Sequence, residues 1–486
     1  MDATNGILNK TDHRLPHRLP LIQPRIIIHG GAGNISRATI TPERGAAIRK
    51  SLKNIITRTN EYMTSGASGA SAAPKGPKAP KSQGRTTATT PSALDIATFA
   101  VVQLEDCSLF NSGHGAVFTR DGINELEASV MVSRDRAKRG VGVMGLRHVR
   151  NPIRLAQKML EHGDHDLGAT SSERSEDQNE DINDDPKAGK WKGSPNIDAG
   201  AQGHTQIYGD AAEALADLYG LPLVHHSYFF TQQRWDEHVR ALEAEKQGQA
   251  ATSTWSASEY LPQGTCGAVA LDADGVVCCA TSTGGLTNKV TGRVGDTPVV
   301  GAGSWAGTWA EDDDPTGWAT AAAARGTPST RPVIELSRAL YNLLADCLPI
   351  PSPMPLVYSQ LPSAPSATTT RSIAVSGTGN GDSFLRVSAA HTVAAMAQYK
   401  PLSSADALSA VAGPGGVLQK SAGDRWGLAG EGEGGLIGIE CAVVEDSDGR
   451  VQQVRTAVIQ DYNCGGMFRA WIDDNGQTQV RIFRDE

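Results

Sequence analysis

Three isoleucines in a row, Ile26–Ile28, lead into His29 and the glycine-rich GGAG. A short unbroken apolar run ending in glycines predicts a buried strand over 25–33 that runs into a tight loop. The period then changes. Ile48, Leu52, Ile55 and Ile56 recur at helical spacing, with Thr41 in place for an N-cap, Pro42 at the first helical position and Gly66 to end the helix. Leu94, Ala97, Val101 and Leu104 repeat that spacing in SALDIATFAVVQLED. Four later segments pair strand formers around Asp121-Gly122, Asp274-Gly275, Asp448-Gly449 and Asn475-Gly476, the strongest short hairpin signals. Helices dominate the first half and hairpins the second. The predicted class is α+β, with antiparallel sheets packed face to face and helices outside.

Polar stretches interrupt this pattern. Residues 1–24, with HRLPHRLP, read as a flexible arm. Residues 67–91 and 167–204 read as disordered insertions, 243–264 as a polar linker, and 308–371 as an insertion holding a helical piece (333–344) and PIPSPMPL. At 486 residues, 39% hydrophobic and rich in glycine and proline, the chain suits one compact domain diluted by such insertions. The formal charge of −8 argues against a polyanionic partner, so no nucleic acid is expected. Seven scattered cysteines without a CxxC pair signal neither a disulfide framework nor a zinc site. The N-terminus has no apolar signal-peptide core, and no run reaches the ~18 apolar residues of a membrane helix. The expectation is a soluble, cytoplasmic protein without a membrane partner.

Glycine-rich segments mark the candidate chemistry: HGGAG (29–33), FNSGHG (110–115), TSTGG (281–285) with TGRVGD (291–296), and SGTGNGD (376–382). GAGNIS nearly fits a dinucleotide fingerprint, but Ser36 stands at its last position and no acidic residue follows at the end of a second strand. Nucleophilic catalysis fits better. A threonine hydroxyl needs a neighbouring base. If the Gly264–Thr265 bond were cut, Thr265 would carry a free α-amine of pKa near 7.7–8.0 beside its own hydroxyl, nucleophile and base on one residue. The dipeptide itself proves nothing, since Gly-Thr occurs at 264, 307, 326 and 377.

With IHGGAG, LEDCSLFNSGHGAVFTRDG, RNPIRLA, GTCGAVALDADG, ATSTGGLTNKVTGRVGDTPVVGAGSWA, SGTGNGD and YNCGGMFRAW in this order, the chain resembles the plant-type (type 2) L-asparaginases and isoaspartyl peptidases. These are N-terminal nucleophile hydrolases, grouped with glycosylasparaginases and taspases. The resemblance implies a four-layer αββα sandwich. It also implies self-cleavage between Gly264 and Thr265 into an α subunit (25–264, behind the arm) and a β subunit (265–486), and a homodimer of cleaved α/β protomers. By resemblance Thr265 is the nucleophile and Thr283 tunes its hydroxyl, although by its residues alone Thr283 is a hairpin-strand threonine. Arg293 holds the substrate α-carboxylate and Asp296 its α-ammonium, Thr378 and Gly379 form the oxyanion site, Gly381 adds a backbone contact, and Asn111 lies near the active centre. No organic cofactor is implied. A structural sodium ion is, on the backbone carbonyls of Leu104, Glu105, Cys107, Phe110, Ser112 and His114. The small-molecule substrates implied are asparagine and β-aspartyl dipeptides, with glycosylasparagine, or no turnover in an uncleaved relative, as the alternatives. Cys266 stands where relatives usually have valine, and TGNGD is closer to glycosylasparaginases. The 308–371 insertion is expected to emerge near the site and narrow its entrance.

Overall fold

The computed structural model describes residues 22–65, 90–166, 200–247, 264–311, 367–400 and 402–486. Twelve strands among them form two sheets. The larger has the order β12-β11-β1-β5-β6-β2-β3-β4 and the smaller β10-β9-β8-β7. Their ranges are β1 Arg25–Gly33, β2 Leu126–Arg134, β3 Ala137–Leu146, β4 Gln206–Tyr208, β5 Cys266–Leu271 and β6 Val277–Thr283. The remainder are β7 Ser304–Ala310, β8 Thr368–Gly379, β9 Gly434–Glu445, β10 Val451–Tyr462, β11 Gly466–Ile472 and β12 Thr478–Arg481. Every pairing is antiparallel except β3 with β4.

Alternation along the strands builds the layers, because successive side chains point to opposite faces. Ile26 and Ile28 of β1, Ala268 and Ala270 of β5, and Cys278 and Ala280 of β6 pack beneath α1 (Pro42–Ser65), α2 (Ala93–Glu105) and α3 (Pro152–Asp166). Ile27, Val269, Leu271 and Cys279 point the other way and meet Ala374, Ile437 and Ile439 of the smaller sheet. That sheet's far face, with Ile373, Val375 and Leu436, is covered by α6 (Gly381–Val387), α7 (Ala389–Tyr399), α8 (Ser404–Ala412) and α9 (Val417–Ser421). Two sheets buried on both faces between two helical layers make the expected αββα sandwich, and explain why the strands read as apolar runs.

The helical spacing of Ile48, Leu52, Ile55 and Ile56 is buried as predicted, and α1 begins at Pro42 and ends at Ser65. Three of the four hairpins form: β5–β6, β9–β10 and β11–β12. The fourth does not. Asp121-Gly122 makes a turn closed by the Gly122 N–H on Thr119 O, but the strand β2 pairs with β3 instead, through a turn at Asp135, whose φ is 50°. Aspartate tolerates that left-handed region, so the true turn lacked the Asp-Gly signal.

Other boundaries also shift. The glycines of HGGAG stay in β1 rather than leaving it as a loop, because β11 pairs with them across a register shift between His29 and Gly31. Ile22, within the predicted arm, packs against the inter-sheet core. Residues 200–204 form a turn leading to β4, which α4 (Gly209–Leu218) follows, and residues 243–246 of the predicted linker close α5 (Gln232–Lys246). Residues 1–21 of the arm, 67–89, 167–199, 248–263 of the predicted linker and the helical piece at 333–344 lie outside the described residues. The 308–371 insertion gives its ends to β7 and β8. Thr370 pairs with Ala310, whereas Ser376 pairs with Ser304. Its described roots therefore leave the end of β8 opposite Thr378, a strand length of roughly 33 Å from it, and not the mouth of the site.

Candidate active site

Thr265 lies one residue before β5, 4% exposed, where β1, β5 and the end of β8 meet between the sheets. Its N–H donates to Thr378 Oγ1 at 2.8 Å, and that oxygen also accepts the Ala32 N–H at 3.1 Å. Asn111 Nδ2 donates to the Gly264 carbonyl at 3.0 Å and to the Gly285 carbonyl at 2.7 Å, while its Oδ1 accepts the Val117 N–H at 3.1 Å. The peptide unit between Gly264 and Thr265 is thus held from both ends by side chains far away in sequence. Gly264 is needed there on contact grounds: a Cβ would fall 2.4 Å from Gly31 Cα and 2.8 Å from Ala32 N, which is backbone that cannot yield.

Two residues passed over in the sequence complete this centre. Thr297 Oγ1 lies 3.4 Å from Thr265 Oγ1 and is fully buried. Thr283 instead donates to the Asn111 carbonyl at 3.3 Å and accepts the Gly285 N–H at 3.0 Å. His29 Nδ1 donates to the Thr265 carbonyl at 2.8 Å, and its Nε2 accepts from Ser376 Oγ at 2.8 Å, which meets Thr281 Oγ1 at 3.0 Å. Complete burial drops the His29 pKa to about 3, against the opposing effect of the Thr265 bond, so the ring stays neutral and acts as a fixed strut. Cys266 has its thiol pushed well above the ordinary range by burial, which leaves it inert beside Thr265.

The Arg293, Asp296 and Gly381 predictions converge. A Cβ on Gly381 would fall 2.5 Å from Asp296 Oδ1 and 3.2 Å from Arg293 Nη2, so the missing side chain leaves both groups facing that backbone. Arg293 Nη2 pairs with the mostly exposed Asp382 at 2.8 Å. Asp296 is 5% exposed, and its pKa rises to about 7, first by burial and then by the nearby Glu127 charge, against the pull of Arg293. Gly379 ends β8 beside Thr378 with φ 146°, and Asn380 caps α6 by accepting the Ser383 N–H.

Leu104 and Glu105 close α2, and Cys107, Phe110, Ser112 and His114 follow in the segment that carries Asn111. The carbonyls of Cys107 and Ser112 each accept one backbone N–H, keeping a second lone pair, while that of Leu104 meets the N–H groups of Asp106 and Cys107. Glu105 is buried, takes the Ile153 N–H and Ser282 hydroxyl on Oε1, and leaves Oε2 without a well-formed hydrogen bond; burial raises its pKa to about 8. Such hard, oxygen-only donors fit a weakly bound alkali cation. The loop is braced by Arg234 of α5, 2% exposed, which donates to the Gly115 carbonyl at 2.9 Å and to Glu237 at 2.9 Å. Among the described residues no cluster of three or more His, Cys, Asp or Glu is placed to bind a metal, and no helix is long and apolar enough to cross a membrane.

A family model described as Asparaginase matches residues 78–183 and 200–314. The chain is 30% identical to the Isoaspartyl peptidase of Escherichia coli (strain K12), over 95% of this chain and 96% of that protein. It is 30% identical to the Isoaspartyl peptidase of Salmonella typhimurium, over 95% and 98%. It is 29% identical to the Plant-type L-asparaginase of Pyrococcus furiosus, over 58% and 70%.

Proposed function

Because the chain belongs to the isoaspartyl peptidase/L-asparaginase family, we propose that it hydrolyses the side-chain amide of L-asparagine and the isopeptide bond of β-aspartyl dipeptides, using a threonine nucleophile that it frees by cutting itself. The carrying observation is the grip on the 264–265 peptide by Asn111 and Thr378.

In the unbroken chain, Thr265 Oγ1 attacks the Gly264 carbonyl carbon. The C–N bond breaks, a C–O ester forms, and the hydroxyl proton passes to the Thr265 nitrogen. Asn111 Nδ2 meets the oxygen that turns negative. Water then hydrolyses the ester, leaving a Gly264 carboxylate and a free Thr265 α-amine. In the matured protein the same hydroxyl attacks the β-carbonyl of the substrate, and the α-amine takes its proton and hands it to the departing ammonia or amine. Thr378 and the Gly379 N–H hold the oxyanion, and water releases L-aspartate. Arg293 suits the planar α-carboxylate and Asp296 the α-ammonium, with Gly381 at the contact. Thr283 supports Asn111, while Thr297 is the hydroxyl beside the nucleophile. The 104–114 loop would hold a sodium ion through its six carbonyls and stiffen the segment carrying Asn111. A homodimer of cleaved α/β protomers is part of the same reading.

Purified protein should show two fragments beginning at residue 1 and at Thr265, and N-terminal sequencing of the second should give Thr-Cys-Gly. Thr265→Ala should remain a single 51.1 kDa chain without activity; a variant that still matures refutes the assignment. Matured protein should prefer asparagine or β-Asp-Leu to GlcNAc-Asn, and the reverse preference would make it a glycosylasparaginase.

A further inference from the structure

Two acidic residues two positions apart, Glu125 and Glu127, clamp the turn that carries Arg293 and Asp296. Glu125 Oε2 accepts the Gly292 N–H at 2.7 Å, and its Oε1 pairs with Arg147 at 2.7 Å. Glu127, on β2 opposite Thr283, accepts the Gly295 N–H through both oxygens, at 3.2 and 3.1 Å. It is 2% exposed. A neutral acceptor would hold one N–H equally well without the cost of burying a charge. The charge has further uses: across Gly295 it faces Arg293, since a Cβ there would fall 2.7 Å from Glu127 Oε1 and 2.9 Å from Arg293 Nη1, and it acts on the carboxylate of the next residue, Asp296.

We propose that Glu127 is a positioning residue of the head-group site: it fixes the 293–296 turn through Gly295 and places a second negative charge behind Asp296, so that a substrate α-ammonium is held by one carboxylate in contact and another behind it. This rests on the reading that Arg293 and Asp296 grip the two ends of an amino-acid head. Asp296 is faced by Glu127 from β2, by Arg293 from its own turn and by Asp382 from the start of α6. Lys289, buried and donating to the Glu125 carbonyl at 2.9 Å, balances Glu127 from the other side. Burial first, and the Glu127 charge after it, leave Asp296 holding its proton up to about pH 7 against the pull of Arg293. An arriving ammonium displaces that proton to solvent and takes up the attraction of both carboxylates.

The test compares L-asparagine with succinamate, which keeps the carboxylate and amide but lacks the α-amine, on self-cleaved enzyme. Glu127→Gln retains an oxygen for the Gly295 N–H. It should raise the KM for L-asparagine about five- to tenfold and shift the acid limb of kcat/KM down by about half to one pH unit, while the KM for succinamate moves less than about twofold. Glu127→Asp, which keeps the charge, should bring the limb back. Equal losses for both substrates, or an unmoved limb, overturn the proposal. If Glu127→Gln fails to mature, Lys289→Met serves instead: leaving Glu127 uncompensated should move the limb upward, and an unmoved limb overturns the proposal again. Asp296→Asn separates the two levels. If it abolishes the preference for L-asparagine over succinamate while the Glu127 variants do nothing, the head-group reading survives and the proposal fails; if it leaves the preference intact, the head-group reading itself is wrong.

Discussion

Replacing Asn111 by alanine removes a side chain that donates to the carbonyl of the bond proposed to break. Its amide makes three hydrogen bonds, to Gly264 O, Gly285 O and Val117 N, and it is 3% exposed. Two effects follow and they are separable. Leaving the buried Gly285 carbonyl and Val117 N–H unpaired costs about 1–3 kcal/mol each in stability. Removing an oxyanion donor costs self-cleavage about 10²–10³ in rate. The rate is read from the appearance of the 265–486 fragment on SDS gels, in samples held well below the melting temperature of the variant so that the folded fraction stays near one. Slow cleavage at full folding is the expected result. A variant that cleaves within about threefold of the parent while folded would refute an oxyanion role for Asn111 and leave it a structural residue.

Gly264→Ala should destabilise the precursor and impair its maturation, since the new Cβ meets Gly31 backbone at 2.4 Å; thermal melts and fragment yield report both. Thr297→Val keeps shape but removes the hydroxyl 3.4 Å from Thr265 Oγ1, and should lower kcat about tenfold with little change in KM, an unchanged kcat assigning Thr297 to packing alone. With its pKa raised to about 7, Asp296 gains a proton as the pH falls through 7 and loses its attraction for an ammonium, so the KM for L-asparagine should rise below that pH. The sign for stability is opposite to that of an ordinary salt-bridged carboxylate. The native state binds this proton more tightly than the unfolded chain, so the contribution is present at low pH and is lost as the pH rises from the ordinary aspartate value of 3.8 toward 7. Asp296→Asn should abolish both dependences in kinetic and thermal-melt profiles.

Much of the site was legible for a specific reason. Arg293, Asp296, Thr378, Gly379 and Gly381 stand in glycine-rich segments of the sequence, where short spacing and residue type both point to a ligand. Thr297 was passed over because a threonine before a proline carries no local sign of chemistry. Glu127 was hidden by its setting at the start of a strand, where an acidic residue between Leu126 and Ala128 looks like an edge charge. Arg234 was likewise hidden in a helix with polar residues all around it. The missed β2–β3 hairpin turned on Asp135, which has no glycine after it.

What the sequence determined alone is therefore what short-range physics can encode. Apolar alternation and helical spacing set the strands, the helices and their layering, and turn residues placed three of the hairpins. The tertiary structure decided who meets whom. Asn111 reaches the Gly264 carbonyl across 153 residues, Thr378 reaches the Thr265 N–H across 113, and Glu127 reaches Gly295 across 168. The same packing sent the roots of the 308–371 insertion to the end of β8 away from Thr378. Contacts over such separations leave no periodicity in the chain, because they are fixed by strand order and register between two sheets and not by any neighbour in sequence.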